Sequence, residues 1–171
     1  LWSFKAKEGI HSTAAIADNK VFVGCDDGNL YALDFKTGKK IWEFKTEDIV
    51  ESAPLVKDGR VYFGSSDGFV YALSAKNGKL HWKFETEDRV LGAPNFFKPK
   101  DKKTKESVIV GSYDFKLYSF DPVSGKNNWS YETSNYINGS PAVFSGRTAF
   151  GGCDALLHVI DLKKGSKEKQ I

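Results

Sequence analysis

The chain has 171 residues, 40% hydrophobic and 27% charged, with 13 Phe, 7 Tyr and 4 Trp against 16 Gly and 5 Pro. That length allows one domain or part of a larger repeat domain, and the composition excludes wholesale disorder. A formal net charge of +3 lacks the concentrated basic stripe expected of a nucleic-acid binder, and no apolar run is long enough for a membrane-spanning helix.

The chain opens on LWSF (residues 1–4), the middle of a patterned segment, and Met is absent throughout. It therefore reads as a processed or excised piece, with any targeting signal outside it. LWSF reads as an outer strand. The same W-x-[FY] pattern returns as WEF, WKF and WSY, placing Trp2, Trp42, Trp82 and Trp129 at spacings of 40, 40 and 47. A fixed period near 40 residues is the signature of an array of supersecondary units. The units run over approximately residues 2–41, 42–81, 82–128 and 129–171 of a single domain, 1–171.

The second unit shows the pattern most plainly. SAPLV (52–56) reads as a strand ended by the turn KDGR, and VYFGS (61–65) as a strand closed by SDG. FVYALS (69–74) is a third, closed by KNGK, and LHWKFET (80–86) a fourth. Alternation with period 2, with Asp-Gly and Asn-Gly between the runs, signals hairpins. Four strands and their turns fill 40 residues and leave no room for a helix. The expected fold is all-β: a β-propeller, or a propeller segment, of about four four-stranded antiparallel blades.

Other positions keep the same period. Gly24, Gly64, Gly111 and Gly151 end the second strands, and three residues later stand Asp27, Asp67, Asp114 and Asp154. Tyr31, Tyr71, Tyr118 and His158 follow, and then the turn glycines Gly38, Gly78, Gly125 and Gly165. The Trp residues are expected to fill the wedge between neighbouring blades, and the Asp residues to cap hairpin turns through backbone N–H groups. In the third unit a lysine-rich insertion (98–106, KPKDKKTKE) separates the first two strands. Lys98, Lys100, Lys102, Lys103 and Lys105 there face only Asp101 and Glu106, and the loop falls on the face that carries the TGK-type turns. It is either a solvated loop or a docking site for an acidic partner or anionic headgroup. In the fourth unit the Trp position is taken by Lys169, so its outer strand is expected to be missing or degenerate. LWSF could then latch the last blade and close a four-bladed ring. Two chains could instead make eight blades, or the chain could be half of a longer one.

Catalytic motifs are weak. GSSDG (64–68) matches a nucleophile elbow in letters, but lies on a hairpin rather than a strand-to-helix turn. Asp26-Asp27-Gly28 lacks the alternating carboxylates of a calcium loop. His11, His81 and His158 occupy different repeat positions, and Cys25 and Cys153 have no metal-ligand spacing. Asn128-Trp129-Ser130 and Asn138-Gly139-Ser140 fit the glycosylation sequon, a short motif common by chance.

VYFGSSDGFVYALSAKNGKLHW and VFVGCDDGNLYALDFKTGKKIW resemble the repeat of the pyrroloquinoline-quinone (PQQ) family of β-propellers, most specifically in "YALD…TGK..W". The resemblance covers essentially the whole chain. It implies one of two kinds of function. Quinoprotein dehydrogenases hold PQQ and calcium near the propeller axis, whereas non-enzymatic members of the BamB kind, or sensor domains, hold partners. Dehydrogenases carry adjacent cysteines and a Trp under the quinone; neither has a matching position here. The resemblance therefore favours a non-catalytic scaffold for protein or peptide partners, periplasmic or extracellular, with no catalytic, cofactor or metal residues. A PQQ- and calcium-dependent dehydrogenase fragment is the alternative, and open blade edges leave self-association possible.

Overall fold

The computed structural model describes residues 1–101 and 104–167, so Lys102, Lys103 and Lys169 lie outside the described residues. Among the described residues there are sixteen strands and no helix. The first sheet comprises β1 (Ala15–Ala17), β2 (Lys20–Gly24), β3 (Asn29–Asp34) and β4 (Lys40–Lys45). The second comprises β5 (Leu55–Lys57), β6 (Arg60–Gly64), β7 (Phe69–Ser74) and β8 (Leu80–Glu85), and the third β9 (Asn95–Phe97), β10 (Ser107–Gly111), β11 (Lys116–Phe120) and β12 (Asn127–Glu132). The fourth comprises β13 (Ala142–Phe144), β14 (Arg147–Gly151), β15 (Leu157–Asp161) and β16 (Ser166–Lys167). Each sheet is an antiparallel meander. The first strands meet in chain order, β1 with β5, β5 with β9 and β9 with β13. Among the described residues no helix is long and apolar enough to cross a membrane.

The first strand of each sheet is shorter than its sequence pattern. In the second unit, residues 52–54 belong to the crossover from β4 rather than to β5. Ser52 Oγ donates to the Gly92 carbonyl at 2.9 Å, and Pro54 has no N–H for a ladder. The turn joining the first two strands has two residues at positive φ: Asp18 and Asn19, Asp58 and Gly59, and Ser145 and Gly146. That geometry matches strand twist, and Asn, Asp and Gly supply it most easily.

The core lies between sheets: the middle strands of the second and third sheets bury both faces, whereas those of the fourth sheet bury one. Phe22, Leu30, Ala32, Trp42 and Phe44 of the first sheet pack on Val61, Phe63, Tyr71 and Leu73 of the second. Tyr62, Val70, Ala72 and Trp82 continue onto Val108, Val110, Tyr118 and Phe120. Ile109, Leu117, Trp129 and Tyr131 then meet Phe150 and Ile160.

Of the two expectations about the ends, the degenerate last strand is met by a much shortened one and the latch is corrected. The fourth sheet has its own last strand, the short β16, paired as Ile160↔Lys167 and Asp161↔Ser166. The LWSF segment is not a strand and does not complete that sheet; Phe4 and Ala6 cover Val23, Tyr31 and Leu33 of the first sheet. A closed ring of four would bring the first and last sheets together. Instead Ile16 is 64% and Leu157 69% exposed, so these residues form a propeller segment.

Candidate functional site

The lysine-rich insertion is held against the fourth sheet. Asp101 accepts from Thr104 N–H at 2.7 Å and from Lys163 Nζ at 2.8 Å, and Lys163 sits in the turn between β15 and β16. These bonds hold the Asp101 carboxyl well below the usual carboxylate range, the Lys163 bond contributing most. Between the insertion and the β13–β14 turn opens a cavity of about 480 Å³. Its walls include Phe96, Lys98, Lys100, Phe144 and Lys163. Phe144 is 85% exposed there. Lys98 pairs with Glu106 at 3.4 Å, whereas Lys100 has no ion-pair partner among the described residues. Lys105 is exposed but does not line the cavity. The groove thus offers one aromatic surface and a free ammonium group at its rim, which suits a segment carrying acidic and apolar side chains.

The other repeated residues are placed in structural roles. Each indole lies on the turn glycine of the next sheet: Trp2 on Gly38, Trp42 on Gly78, Trp82 on Gly125 and Trp129 on Gly165. Those glycines have φ between 71° and 73°, or 64° at Gly165, a region L-residues avoid, and a Cβ there would strike the ring. Each indole N–H also donates to a carbonyl of that sheet: Phe35, Ala75, Pro122 and Leu162 respectively. Gly24, Gly64 and Gly111 leave room for Val50, Val90 and Ile137 of the following crossover, whereas Gly151 has open space.

Each repeated Asp uses both oxygens. Asp67 Oδ1 accepts from Phe69 N–H at 3.0 Å, and its Oδ2 accepts from Tyr71 O–H at 2.7 Å. Asp27 with Tyr31 and Asp114 with Tyr118 repeat the arrangement. In the fourth unit His158, stacked on Phe150, takes the tyrosine's place 2.8 Å from Asp154. Burial, with the facing carboxylate, pushes the Tyr31, Tyr71 and Tyr118 hydroxyls far above their ordinary range. Burial raises the Asp27 carboxyl, but hydrogen bonds from Tyr31, Asn29 and Cys25 bring it below its usual value.

One cluster was not foreseen. His11 Nδ1 lies 2.8 Å from Asp26 Oδ2, and a Glu51 carboxylate oxygen lies within 4.8 Å of both side chains' ligand atoms. His11 and Glu51 stand nine residues after Trp2 and Trp42, the same place in successive units, so the crossovers before and after the first sheet bring them to either side of Asp26.

The sequence matches, over residues 1–169, the family described as outer membrane protein assembly factor BamB. The chain belongs to the BamB family. No curated protein matches it. Among solved structures, BamB from Moraxella catarrhalis superposes with a TM-score of 0.81 at 21% identity, over 98% of this chain and 51% of that one. The computationally designed Ika4 protein gives 0.80 at 19% identity, over 92% and 94%. Quinohemoprotein alcohol dehydrogenase from Comamonas testosteroni gives 0.78 at 18%, over 96% and 35%. Identities this low carry the fold alone. The chain spans about half the length of the BamB structure.

The residues present do not fit PQQ as the repeat resemblance describes its site. All four indoles are seated on turn glycines between sheets, so none is free to lie under a quinone. Cys25 is buried in the first sheet's turn and Cys153 is exposed in the fourth's, so the two form no adjacent pair.

Proposed function

We propose that this BamB-family propeller segment is a non-catalytic scaffold that binds extended protein segments carrying acidic and apolar side chains, serving protein assembly in the cell envelope. The observation that carries the reading is the groove between the insertion and the β13–β14 turn, where Phe144 is 85% exposed beside unpaired Lys100. Phe96, Val143 and Phe144 line the groove together beside lysines, and an apolar patch rimmed by polar groups marks an interaction site. The family description, an outer membrane protein assembly factor, supports a protein partner and a periplasmic location.

Selection from a random peptide library tests it. Peptides rich in Asp or Glu with Phe or Leu are expected, and fluorescence anisotropy should show binding weakened about 10-fold by Phe144→Ala or Lys100→Glu, on the order of 1.4 kcal/mol. Selected peptides that bind both variants as tightly as the parent chain would remove the groove as the site. A separate arm adds PQQ and calcium. A quinone absorbance that stays with the chain through gel filtration, with dye reduction, would move the reading to a dehydrogenase.

A further inference from the structure

On the face of the propeller opposite the groove, three departures from the repeat coincide. The second residue after the β2 glycine is Asp26 here, but Ser66, Tyr113 and Cys153 in the other units. The position nine residues after each Trp reads His11, Glu51, Leu91 and Asn138. The position seven after each Trp reads Gly9, Ile49, Arg89 and Tyr136. The backbone is the same in all four units: Asp26 N–H donates to Gly9 O at 2.9 Å, Ser66 to Ile49 O, Tyr113 to Arg89 O and Cys153 to Tyr136 O. Only the first unit fills this frame with an imidazole and two carboxylates.

The frame is rigid and the fit is close. Val50 N–H donates to Cys25 O at 3.1 Å and Ser12 Oγ to Ser52 O at 3.1 Å, which fixes both crossovers against the Asp26 turn. A Cβ on Gly9 would lie 2.8 Å from Asp26 Oδ2 and 3.1 Å from His11 Cε1, so a side chain there would displace the pair from its present positions. Asp26 Oδ1 is closed off from solvent and has no hydrogen-bond donor. Among the described residues neither Asp26 nor Glu51 has a Lys or Arg partner. A buried carboxylate oxygen without a donor is costly unless a cation faces it.

We propose that His11, Asp26 and Glu51 form a binding site for a first-row divalent cation, with zinc the best fit. One nitrogen and two carboxylate donors suit a borderline cation; calcium would need six to eight oxygens. Ligands about 2.0–2.1 Å from a tetrahedral zinc sit about 3.3 Å apart. The His11–Asp26 contact at 2.8 Å therefore opens by roughly half an ångström, and Glu51 closes in from within 4.8 Å. On binding, the ion displaces the proton shared between His11 Nδ1 and Asp26 Oδ2, so the neutral ring presents its Nδ1 lone pair and carries its proton on Nε2. Three ligands from the chain leave a fourth position for water or a partner's donor. The bound ion ties the two crossovers to the first sheet's turn. This inference is independent of the groove, which lies at the other end of the strands.

The test is calorimetric titration of the chelator-treated chain with zinc, alongside cobalt as a spectroscopic probe. One ion per chain is expected, with visible cobalt absorption of tetrahedral type. His11→Gln, Asp26→Asn and Gly9→Ala should each weaken zinc by about 10-fold or more, while His81→Gln leaves it unchanged. Zinc should raise the melting temperature of the parent chain and not that of Asp26→Asn. The His11 side chain is 68% exposed, so His11→Gln tests the ligand without disturbing the fold, and Glu51→Gln should weaken zinc likewise. Failure of zinc to bind, or equal binding by His11→Gln and Asp26→Asn, overturns the assignment.

Discussion

Replacing Trp82 by Ala removes the most deeply seated of the four indoles. Trp82 is 8% exposed, packs on Tyr62 and Phe120 at ring distances of 5.9 and 5.8 Å, and donates to Pro122 O at 3.1 Å. An indole hides about 200 Å² of surface, and at about 25 cal/mol per Å² its burial contributes roughly 5 kcal/mol. The unfolded chain already hides part of that area, which lowers the figure to about 3–4.5 kcal/mol. Losing the hydrogen bond adds little, because Pro122 O keeps Tyr62 O–H as a donor at 3.1 Å. The expected loss is about 3–5 kcal/mol, in line with Trp-to-Ala changes in other cores. Trp2 is 38% exposed on a segment that is not a strand, so Trp2→Ala should cost about 2 kcal/mol or less. Urea titration followed by circular dichroism measures both. A loss below about 1 kcal/mol for Trp82→Ala, or equal losses for the two, would refute the reasoning that the indoles stabilise by their burial between sheets.

Gly64→Ala should destabilise by about 1–3 kcal/mol or more, since its Cβ would lie 2.5 Å from Val90 O, whereas Gly151→Ala should stay within about 0.5 kcal/mol because nothing is nearer than Leu156 O at 4.0 Å. Thermal melts of the two variants compare them directly. In alkali, Tyr71 and Tyr118 have folded values above the unfolded value of about 10, and burial pushes Tyr62 up to about 12. Their stabilising contribution is thus complete below about pH 10 and lost as pH rises toward the folded values; tyrosinate absorbance should rise together with unfolding, and Tyr71→Phe should soften the loss. In acid the sign reverses. The Asp27 carboxyl is lowered in the fold, so its contribution is present above about pH 4 and lost as pH falls through the folded value. Asp27→Asn should lower stability at neutral pH and flatten the decline below about pH 4, read from denaturation midpoints across that range.

The architecture was legible because each unit repeats its reasons. Trp82, Gly64 and Asp67 recur with period: the Trp and Gly contacts are made again against the next sheet or crossover, and the Asp contact is made again inside each turn. The ring partner of each Asp, Tyr in three units and His158 in the fourth, is four residues along the chain, so both signals lay in one strand-and-turn segment. What could not be read was where the units differ. Phe144 looks like any apolar strand residue; its exposure depends on what lies beyond the face of β13. Lys163 and Asp101 are separated by 62 positions, and their pairing ties the insertion to another sheet. His11, Asp26 and Glu51 belong to three segments that meet only through the crossovers. Aligning the units would have found them, because His11 and Glu51 share a repeat position that then turns apolar at Leu91.

Consecutive sheets are held apart by the bulkiest side chain on the outermost strand, at Trp42 and Trp82. At the end of the second strand, Gly24 and Gly64 carry no side chain, and Val50 and Val90 of the crossover close directly onto the backbone there. The gap therefore widens from the axis outward, and that taper fixes the angle through which each sheet is rotated from the last. The number of sheets in a full turn is 360° divided by that angle, so the size mismatch between indole and hydrogen helps set ring order. Enlarging the inner glycines or shrinking the outer tryptophans would flatten the taper and favour a wider ring.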